Sequence, residues 1–430
     1  MSQQQPTKSK WAILITVLIM TFMVCLDSSI VTVALPVMQK RLGAGDEIQW
    51  VSSVYLIATC VVLLPFGRLG DRFGKVFIFQ AGVVGFTIGS LLCGIAQTLP
   101  VLIAARIVQG VGCALAMANN MGIITEAFPA HERGRAMGLL SSFVALGMMV
   151  GPVLGGVIVS RWPWEWIFLI NVPVGIASYF VGRAVLPRSE RQKEPLEKTS
   201  LLDAIRLCFE REAFRLNFAT MFIVFMGIGA SELLLPFYFQ DAHGFGPDMA
   251  GLLFLALPVA NALIGPLSGA ISDRIGCEVP TLVGLVVYIV GLLAVGTLDD
   301  SSSIPTILLL VGLMSTGTAI FQSPNNALFM NSAPPRALGV AGSMGGLARY
   351  LGLAIGIWGG SELLYGRMSA EMGTPVTSLI PGRPDIFLAG FTFVFHVLAI
   401  LISLACVLTA LRWFRKRQER AGRKRQAEAA

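Results

Sequence analysis

The chain of 430 residues is poor in charge, because Asp, Glu, Lys and Arg make up 13% of it. A soluble globular domain carries about 25% of charged residues. The seven cysteines show no paired spacing, so neither disulfides nor a metal site is expected. The sequence also lacks a nucleotide-binding loop, a nucleophile–base motif and a polar stretch long enough for a sizeable soluble domain. A membrane enzyme or receptor therefore has little support.

Hydrophobic residues make up 55% of the chain, and its mean hydropathy is +0.73. A helix needs about 20 apolar residues to cross a bilayer. The apolar stretches predict an all-α polytopic membrane protein with twelve spans, near residues 11–38, 49–67, 75–95, 99–122, 134–159, 165–185, 213–239, 248–271, 279–298, 304–326, 337–363 and 386–410.

Lys and Arg predict the orientation of these spans. With the N-terminus inside, 25 of them fall on inner segments and 5 on outer loops. This bias predicts a multi-pass membrane protein with both termini in the cytoplasm. The expected location is the bacterial inner (plasma) membrane. The basic tail, from Arg412 to Arg425, is expected to contact anionic lipid rather than nucleic acid.

An internal repeat divides the chain into two halves. The segment 67–74 (GRLGDRFG) recurs 202 residues later as 269–276 (GAISDRIG). Transporters are commonly built from such duplicated halves around a central site. The repeat predicts a six-helix half over 1–185, a cytoplasmic linker with an amphipathic helix over 186–212, a second six-helix half over 213–413 and a basic cytoplasmic tail over 414–430.

The repeated segment is interpreted as a conformational gate. Its glycines allow close helix approach across a tight turn. Asp71 can accept hydrogen bonds from a helix N-terminus, and Arg72 is its expected ion partner or a lipid anchor. The alternative is an ordinary inner loop. The residues assigned to the gate are Gly67, Asp71, Arg72, Gly74, Asp273 and Arg274.

The segment 67–75 is similar to the signature loop of the major facilitator superfamily, and the sequence as a whole resembles that family. The segments 106–112 (RIVQGVG) and 147–156 (GMMVGPVLGG) are similar to the proton-coupling and antiporter motifs of its drug–proton antiporters. The segments 26–36 (LDSSIVTVALP) and 166–175 (WIFLINVPVG) are similar to the multidrug branch, which usually has fourteen helices. The two central helices of that branch are absent here, so the resemblance does not identify the substrate.

Four ionisable residues fall inside predicted spans, where a functional role is the default expectation. They are Asp27, Arg106, Glu232 and Arg349. A carboxylate such as Asp27 in a partly dry cavity can exchange a proton near neutral pH. The alternative is a fixed partner of Ser28, Ser29 or a broken helix end. For Arg106 and Gln109 the resemblance implies proton coupling, and the alternative for Arg106 is an ion pair that holds helices together.

Two of these residues keep open roles. Glu232 is expected to bind a cationic substrate, to carry a proton or to face a water-filled outer vestibule. Arg349 is expected either to contact substrate or to donate to helix carbonyls. The amides of Asn119 and Asn325 are expected to line the cavity or to bridge helices.

The antiporter-like segment places Gly147, Gly151 and Gly155 on one helix face, with Pro152 bending the helix. This face predicts close helix packing, and a functional reading adds a seal against proton leak.

The leading hypothesis is a monomeric secondary transporter that exports small amphipathic or drug-like compounds by alternating access. It would be driven by the proton gradient without a cofactor or a metal. The alternative is a symporter or antiporter of a specific metabolite.

Overall fold

The computed structural model describes residues 10–129, 133–187, 201–334, 338–380 and 382–429, and every regular element in these ranges is helical. The α-helices are α1 (Lys10–Leu42), α2 (Trp50–Phe73), α3 (Lys75–Gly94), α4 (Leu99–Met117), α5 (Asn120–Ala127), α6 (Arg133–Arg161), α7 (Trp166–Leu169), α8 (Asn171–Val185), α9 (Leu201–Phe209), α10 (Glu212–Phe237), α11 (Pro247–Phe254), α12 (Ala256–Ile275), α13 (Glu278–Val295), α14 (Ile304–Ser332), α15 (Leu338–Met372) and α16 (Pro384–Ala429).

Within the described ranges, twelve helical segments are long and apolar enough to cross a membrane. This count confirms the predicted all-α fold with twelve spans. Three of the segments are interrupted, because α5 continues α4, α8 continues α7 and α12 continues α11. A π-helical turn, Tyr238–Ala242, extends α10.

The two six-helix halves use the same helix pairings. In the first half α1 packs on α6, and α4 packs on both α2 and α3. In the second half α10 packs on α15, and α14 packs on both α12 and α13. These helix pairs of the second half therefore correspond to those of the first half.

The repeated sequence segment ends at a glycine with positive φ in each half. Gly74 separates α2 from α3 with φ 101°, and Gly276 follows α12 with φ 91°. Side chains rarely tolerate this conformation, so glycine permits the sharp change of direction. The residues before each glycine form the last turns of α2 and α12 rather than a loop. Of the assigned gate, Arg274 is exposed, and the side chains of Asp71, Arg72 and Asp273 lie outside the described part of the chain.

Among the described residues, the largest contacts between the halves are those of α2 with α15 and of α6 with α11, and α1 makes smaller contacts with α10 and α11. Polar contacts join the halves at the end that carries the connections 43–49 and 243–246, which we call the distal end. There Lys40 forms an ion pair with Asp241, and Gln240 Nε2 donates to the carbonyl of Val33 at 3.0 Å. The distal end is therefore closed in this conformation.

The segment between the halves includes α9, which packs on the second half. Cys208 is buried there, and the ring of Phe209 lies 5.6 Å from Phe214 and 5.4 Å from Phe218 between centroids. Residues 188–200 of the predicted linker lie outside the described ranges. At the C-terminus, α16 runs without a break from the last span into the basic tail.

Candidate functional site

A sealed cluster of polar side chains lies inside the first half, centred on Asp27 of α1. Arg106 Nη1 donates to Asp27 Oδ2 at 2.8 Å. Asp27 Oδ1 accepts from Gln109 Nε2 at 2.8 Å and from Asn171 Nδ2 at 2.7 Å. The side chains of Asp27 and Arg106 are 0% and 1% exposed. The carboxylate thus has an ion partner and three hydrogen-bond donors in a site closed to solvent.

The Arg106 guanidinium is fixed on several sides. Its Nε donates to the Val51 carbonyl on α2 at 2.9 Å, and Nη1 also donates to Gln109 Oε1 at 2.6 Å. Its central carbon lies 4.1 Å from the centroid of the Tyr55 ring and 5.6 Å from that of Phe168. A cation over aromatic faces gains electrostatic stabilisation that grows when water is excluded. Arg106 of α4 therefore contacts α1, α2 and α7, and Asn171 connects α8 to the cluster through Asp27.

Asp27 was alternatively expected to be a fixed partner of a neighbouring serine, and its contacts with Ser29 do not show this. Ser29 Oγ donates to the carbonyls of Cys25 at 3.0 Å and Leu26 at 3.2 Å rather than to the carboxylate. The ion pair expected as the alternative role of Arg106 is present. An ion pair of this kind is compatible with proton coupling, because protonation of Asp27 removes the negative member of the pair.

Two members of the cluster were not identified from the sequence. Asn171 is the first residue of α8 and supplies one of the three donors to Asp27. Ser90 on α3 accepts from Gln109 Nε2 at 2.8 Å and so orients the Gln109 amide. Asn171 lies within the segment 166–175 that resembles the multidrug branch. This resemblance is the sequence feature from which Asn171 could have been identified as a member of the cluster.

The glycines of the antiporter-like segment fit α6 against α1. A methyl group built on Gly147 or Gly155 would lie 2.8 Å from a carbonyl oxygen of α1, and on Gly151 1.9 Å from Ser29 Oγ. These distances are shorter than carbon atoms tolerate, so only glycine allows this approach. The predicted close packing is present.

The opposite side of α6 contacts the other half of the protein. A methyl group on Gly156 would lie 2.3 Å from the carbonyl oxygen of Pro247. Reciprocally, a methyl group on Gly251 of α11 would lie 2.2 Å from the carbonyl oxygen of Pro152. One segment of α6 therefore holds its own half together and also touches the second half near the distal end.

The second half repeats the glycine contacts of the first half. Added methyl groups on Gly89 and Gly291 would lie 2.5 Å from Gln109 Cα and 2.3 Å from Met314 Cα. Gly291 follows Gly89 by 202 residues, and Met314 follows Gln109 by 205 residues. Gln109 and Met314 are therefore equivalent positions in the two halves.

The polar cluster itself has no counterpart in the second half. One turn before Met314, at the position equivalent to Arg106, stands the buried Val311. On α10, the contact of Gly352 with the Phe222 carbonyl matches that of Gly147 with the Phe22 carbonyl. This match makes Gly227 the equivalent of Asp27. Among the described residues, the buried Gly227 and Val311 therefore stand where the first half has the ion pair of Asp27 and Arg106.

Glu232 on α10 and Arg349 on α15 lie apart from this cluster. Both side chains are partly exposed, and within the described chain neither forms a hydrogen bond or an ion pair. Two predicted amides are buried. Asn119 donates to the Leu115 carbonyl at 3.4 Å, and Asn325 Nδ2 has no hydrogen-bond partner in the described chain.

Comparisons with known proteins relate this sequence to one superfamily and to transporters. The sequence model described as Major Facilitator Superfamily matches residues 17–357. Riboflavin transporter RibZ of Clostridioides difficile is 31% identical, with 81% of this chain and 87% of that protein covered. Multidrug resistance protein Stp of Mycobacterium tuberculosis is 28% identical, with 84% of this chain and 77% of that protein covered.

Solved structures show the same fold at lower sequence identity. A bacterial homologue of the human lysosomal transporter Spinster, in an inward-facing and unoccupied conformation, superimposes with a TM-score of 0.75 at 18% identity, covering 95% of this chain and 97% of that one. A D-xylose–proton symporter gives a TM-score of 0.73 at 16% identity, covering 92% of this chain and 97% of that one.

Proposed function

Because this chain belongs to the major facilitator superfamily, we propose that it is a proton-driven exporter of small amphipathic, drug-like compounds. It is a multi-pass membrane transporter and not an enzyme. The observation that supports proton coupling is the buried cluster in which Arg106 and two amides hold the Asp27 carboxylate. Relatives named for multidrug resistance and for tetracenomycin C export support the substrate class.

The cluster can connect a proton to a conformational change. Asp27 is inaccessible while the distal end is closed. When the halves rock apart at that end, water reaches α1 and a proton can neutralise the carboxylate. Arg106 then loses its ion partner. The free energies of the conformations with the distal end closed and with it open therefore change by different amounts. A ligand that prefers one conformation shifts the equilibrium toward it, and this coupling is reciprocal between proton and substrate.

We place the distal end outside the cell and both termini in the cytoplasm, in accordance with the Lys and Arg bias. The glycine-terminated segments after α2 and α12 then lie at the cytoplasmic surface, where we assign Asp71, Arg72, Asp273 and Arg274 to the gate. The basic end of α16 is positioned for anionic lipid. We expect a monomer, because each chain contains both halves of the site.

Dissipation of the proton gradient is expected to abolish uphill export. An incoming proton releases about 2.3 kcal/mol per charge per 100 mV, and no other energy source is proposed. Proteoliposomes would be assayed without sodium for concentrative transport of dyes and antibiotics, with a pH gradient and then with an uncoupler. Protein-free liposomes provide the control for passive diffusion. Undiminished uphill export after uncoupling would show that protons do not drive it.

A specific metabolite remains the second candidate function. The relative that favours it is named a riboflavin transporter. Riboflavin would be included in the same panel. Saturable transport of riboflavin together with failure to transport the other compounds would support the metabolite alternative.

Glu232→Gln is expected to weaken binding and export of cationic substrates more than of neutral ones of similar size. The carboxylate of Glu232 has no ion partner in the described chain, so it is available to a substrate cation, and their attraction is stronger in a site of low dielectric than in water. A neutral substrate loses only hydrogen-bonding differences, worth about 1 kcal/mol. Binding and uphill export of one matched cationic and neutral pair would be measured.

The other roles of Glu232 give different results in this experiment. If Glu232 carries the coupling proton, both substrates lose uphill export together. If it faces an aqueous vestibule, neither changes. Equal loss for the two substrates would refute the cation site.

A further inference from the structure

Arg349 is a cation inside the second half that has no anionic partner among the residues the structure describes. Its guanidinium carbon lies 5.1 Å from the centroid of the Phe225 ring on α10. Its Nε is buried without an acceptor, and no helix carbonyl among the described residues accepts from it. Arg106 in the first half, by contrast, donates to Asp27, Gln109 and Val51. The second arginine thus has an aromatic platform but no acceptor.

The position of Arg349 on α15 shows which way this site faces. A methyl group on Gly346 would lie 3.0 Å from Leu63 Cδ2 on α2 of the first half, and a methyl group on Gly352 would lie 2.9 Å from Phe225 Cβ on α10. At 100° per residue, Arg349 lies about 60° around the helix from each of these two glycines. It therefore lies between the two contacts, beside the boundary of the halves, where a transporter of this architecture holds its substrate.

An unpaired arginine in this position calls for an acceptor from outside the chain. Ionisable side chains within membrane spans normally pair with each other or with backbone carbonyls. Arg349 does neither in the described chain. The guanidinium offers a planar fork of donors that matches a carboxylate or similar oxyanion. The ring of Phe225 behind it limits its rotation and leaves the fork available to a ligand.

We propose that Arg349 binds an acidic group of the substrate, so that the preferred compounds are amphipaths carrying a carboxylate or a comparable oxyanion. The inference rests on the proposed export function, since it assigns a substrate contact within the same central site. Glu232 stands seven residues after Phe225, about 10 Å along α10 at 1.5 Å per residue. A compound that also carries a basic group at that separation engages both side chains.

The experiment compares one amphipathic scaffold carrying either a carboxylate or the corresponding primary amide. Equilibrium binding of each compound would be measured on the purified full-length protein in nanodiscs. The native protein is expected to bind the acid at least about tenfold more tightly than the amide, as for a charge-assisted pair. Arg349→Gln should reduce this ratio to about one while the affinity for the amide stays unchanged, because only the acid uses the charge.

Two further variants control this result. Arg349→Lys keeps the charge but not the fork, so an intermediate ratio is expected. Arg367→Gln removes an arginine of the same helix that pairs with Glu371, and it should leave the ratio unchanged. If Arg349→Gln does not fold, Arg349→Lys still decides: a ratio equal to that of the native protein refutes recognition by the fork. A native protein that does not distinguish acid from amide, or a ratio that survives Arg349→Gln, overturns the proposal.

The test separates this subsite from the proposed transport function. Proton-driven export of the amide by Arg349→Gln would be assayed in parallel. If binding depends on Arg349 but no compound is exported uphill by the native protein, the subsite stands and the export function fails. If the amide is exported uphill while acid binding is independent of Arg349, the export function stands and the subsite fails.

Discussion

Asp27→Asn is expected to abolish uphill transport while substrate binding persists. The substitution keeps the size of the side chain but removes the proton-exchanging group and the negative charge that faces Arg106. Removal of one partner from a buried ion pair costs about 3–5 kcal/mol, so thermal stability should fall as well. Uphill export, binding and the unfolding temperature would all be measured on this variant.

The double variant Asp27→Asn with Arg106→Gln separates coupling from stability. It replaces the ion pair by two neutral amides, and neutral replacement of a buried pair is often close to isoenergetic. We expect the unfolding temperature to recover and uphill export to remain absent. Recovery of both would show that the pair acts only to hold α1 and α4 together. The variant Ser29→Ala provides a matched control, because it changes a neighbour on α1 that does not contact the carboxylate.

Gly156→Ala is expected to open the distal end and to slow transport. The added methyl carbon would lie 2.3 Å from the Pro247 carbonyl oxygen, and backbone cannot move aside as a flexible side chain does. Overpacking typically costs about 1–3 kcal/mol, which changes a conformational equilibrium by roughly 5- to 150-fold. The conformation closed at the distal end bears this cost, and the conformation open there does not. The protein should therefore spend more time with the distal end open.

Spin labels at the exposed positions 162 and 249, one in each half, would report this opening as a longer distance in a cysteine-free background. Gly359→Ala is the matched control, since a methyl group at Gly359 meets no atom within 4 Å. Gly155→Ala should behave differently from Gly156→Ala, because Gly155 contacts α1 of its own half. For Gly155→Ala we expect a lower unfolding temperature and an unchanged distance between the labels at the distal end. An unchanged label distance in Gly156→Ala would contradict the proposed role of this contact.

The spans were predictable because each must supply its own run of apolar residues. Asp27 and Arg106 were also found singly, since a charge within such a run is rare. Their pairing was not predictable, because 79 residues separate them and the approach of α1 to α4 depends on helix packing. Asn171 was missed because an amide is a weaker signal than a charge in an apolar segment, and the amides that were selected, Asn119 and Asn325, do not contact Asp27.

The second glycine face was visible in the sequence but carried no recognisable motif. Gly352, Gly356 and Gly360 repeat the spacing of the α6 glycines 205 residues later. The contacts of Gly352 and Gly360 with α10 match those of Gly147 and Gly155 with α1, although the intervening residues differ. Close helix contacts of this kind require glycine at the contact positions but do not determine the residues between them. The sequence around the glycines therefore shows no recognisable motif.

These repeated contacts are the record of a gene duplication. Both copies retain the glycines, because a larger residue at any of them would separate helices that must touch. The remaining positions differ, since the half that contains Val311 and Met314 has neither Asp27 nor Arg106 at the equivalent positions. Under the proposed function, substitutions in the second half should alter which compounds are recognised and leave the proton-coupling cluster of the first half intact. One scaffold could then serve different cargoes through changes in one half alone.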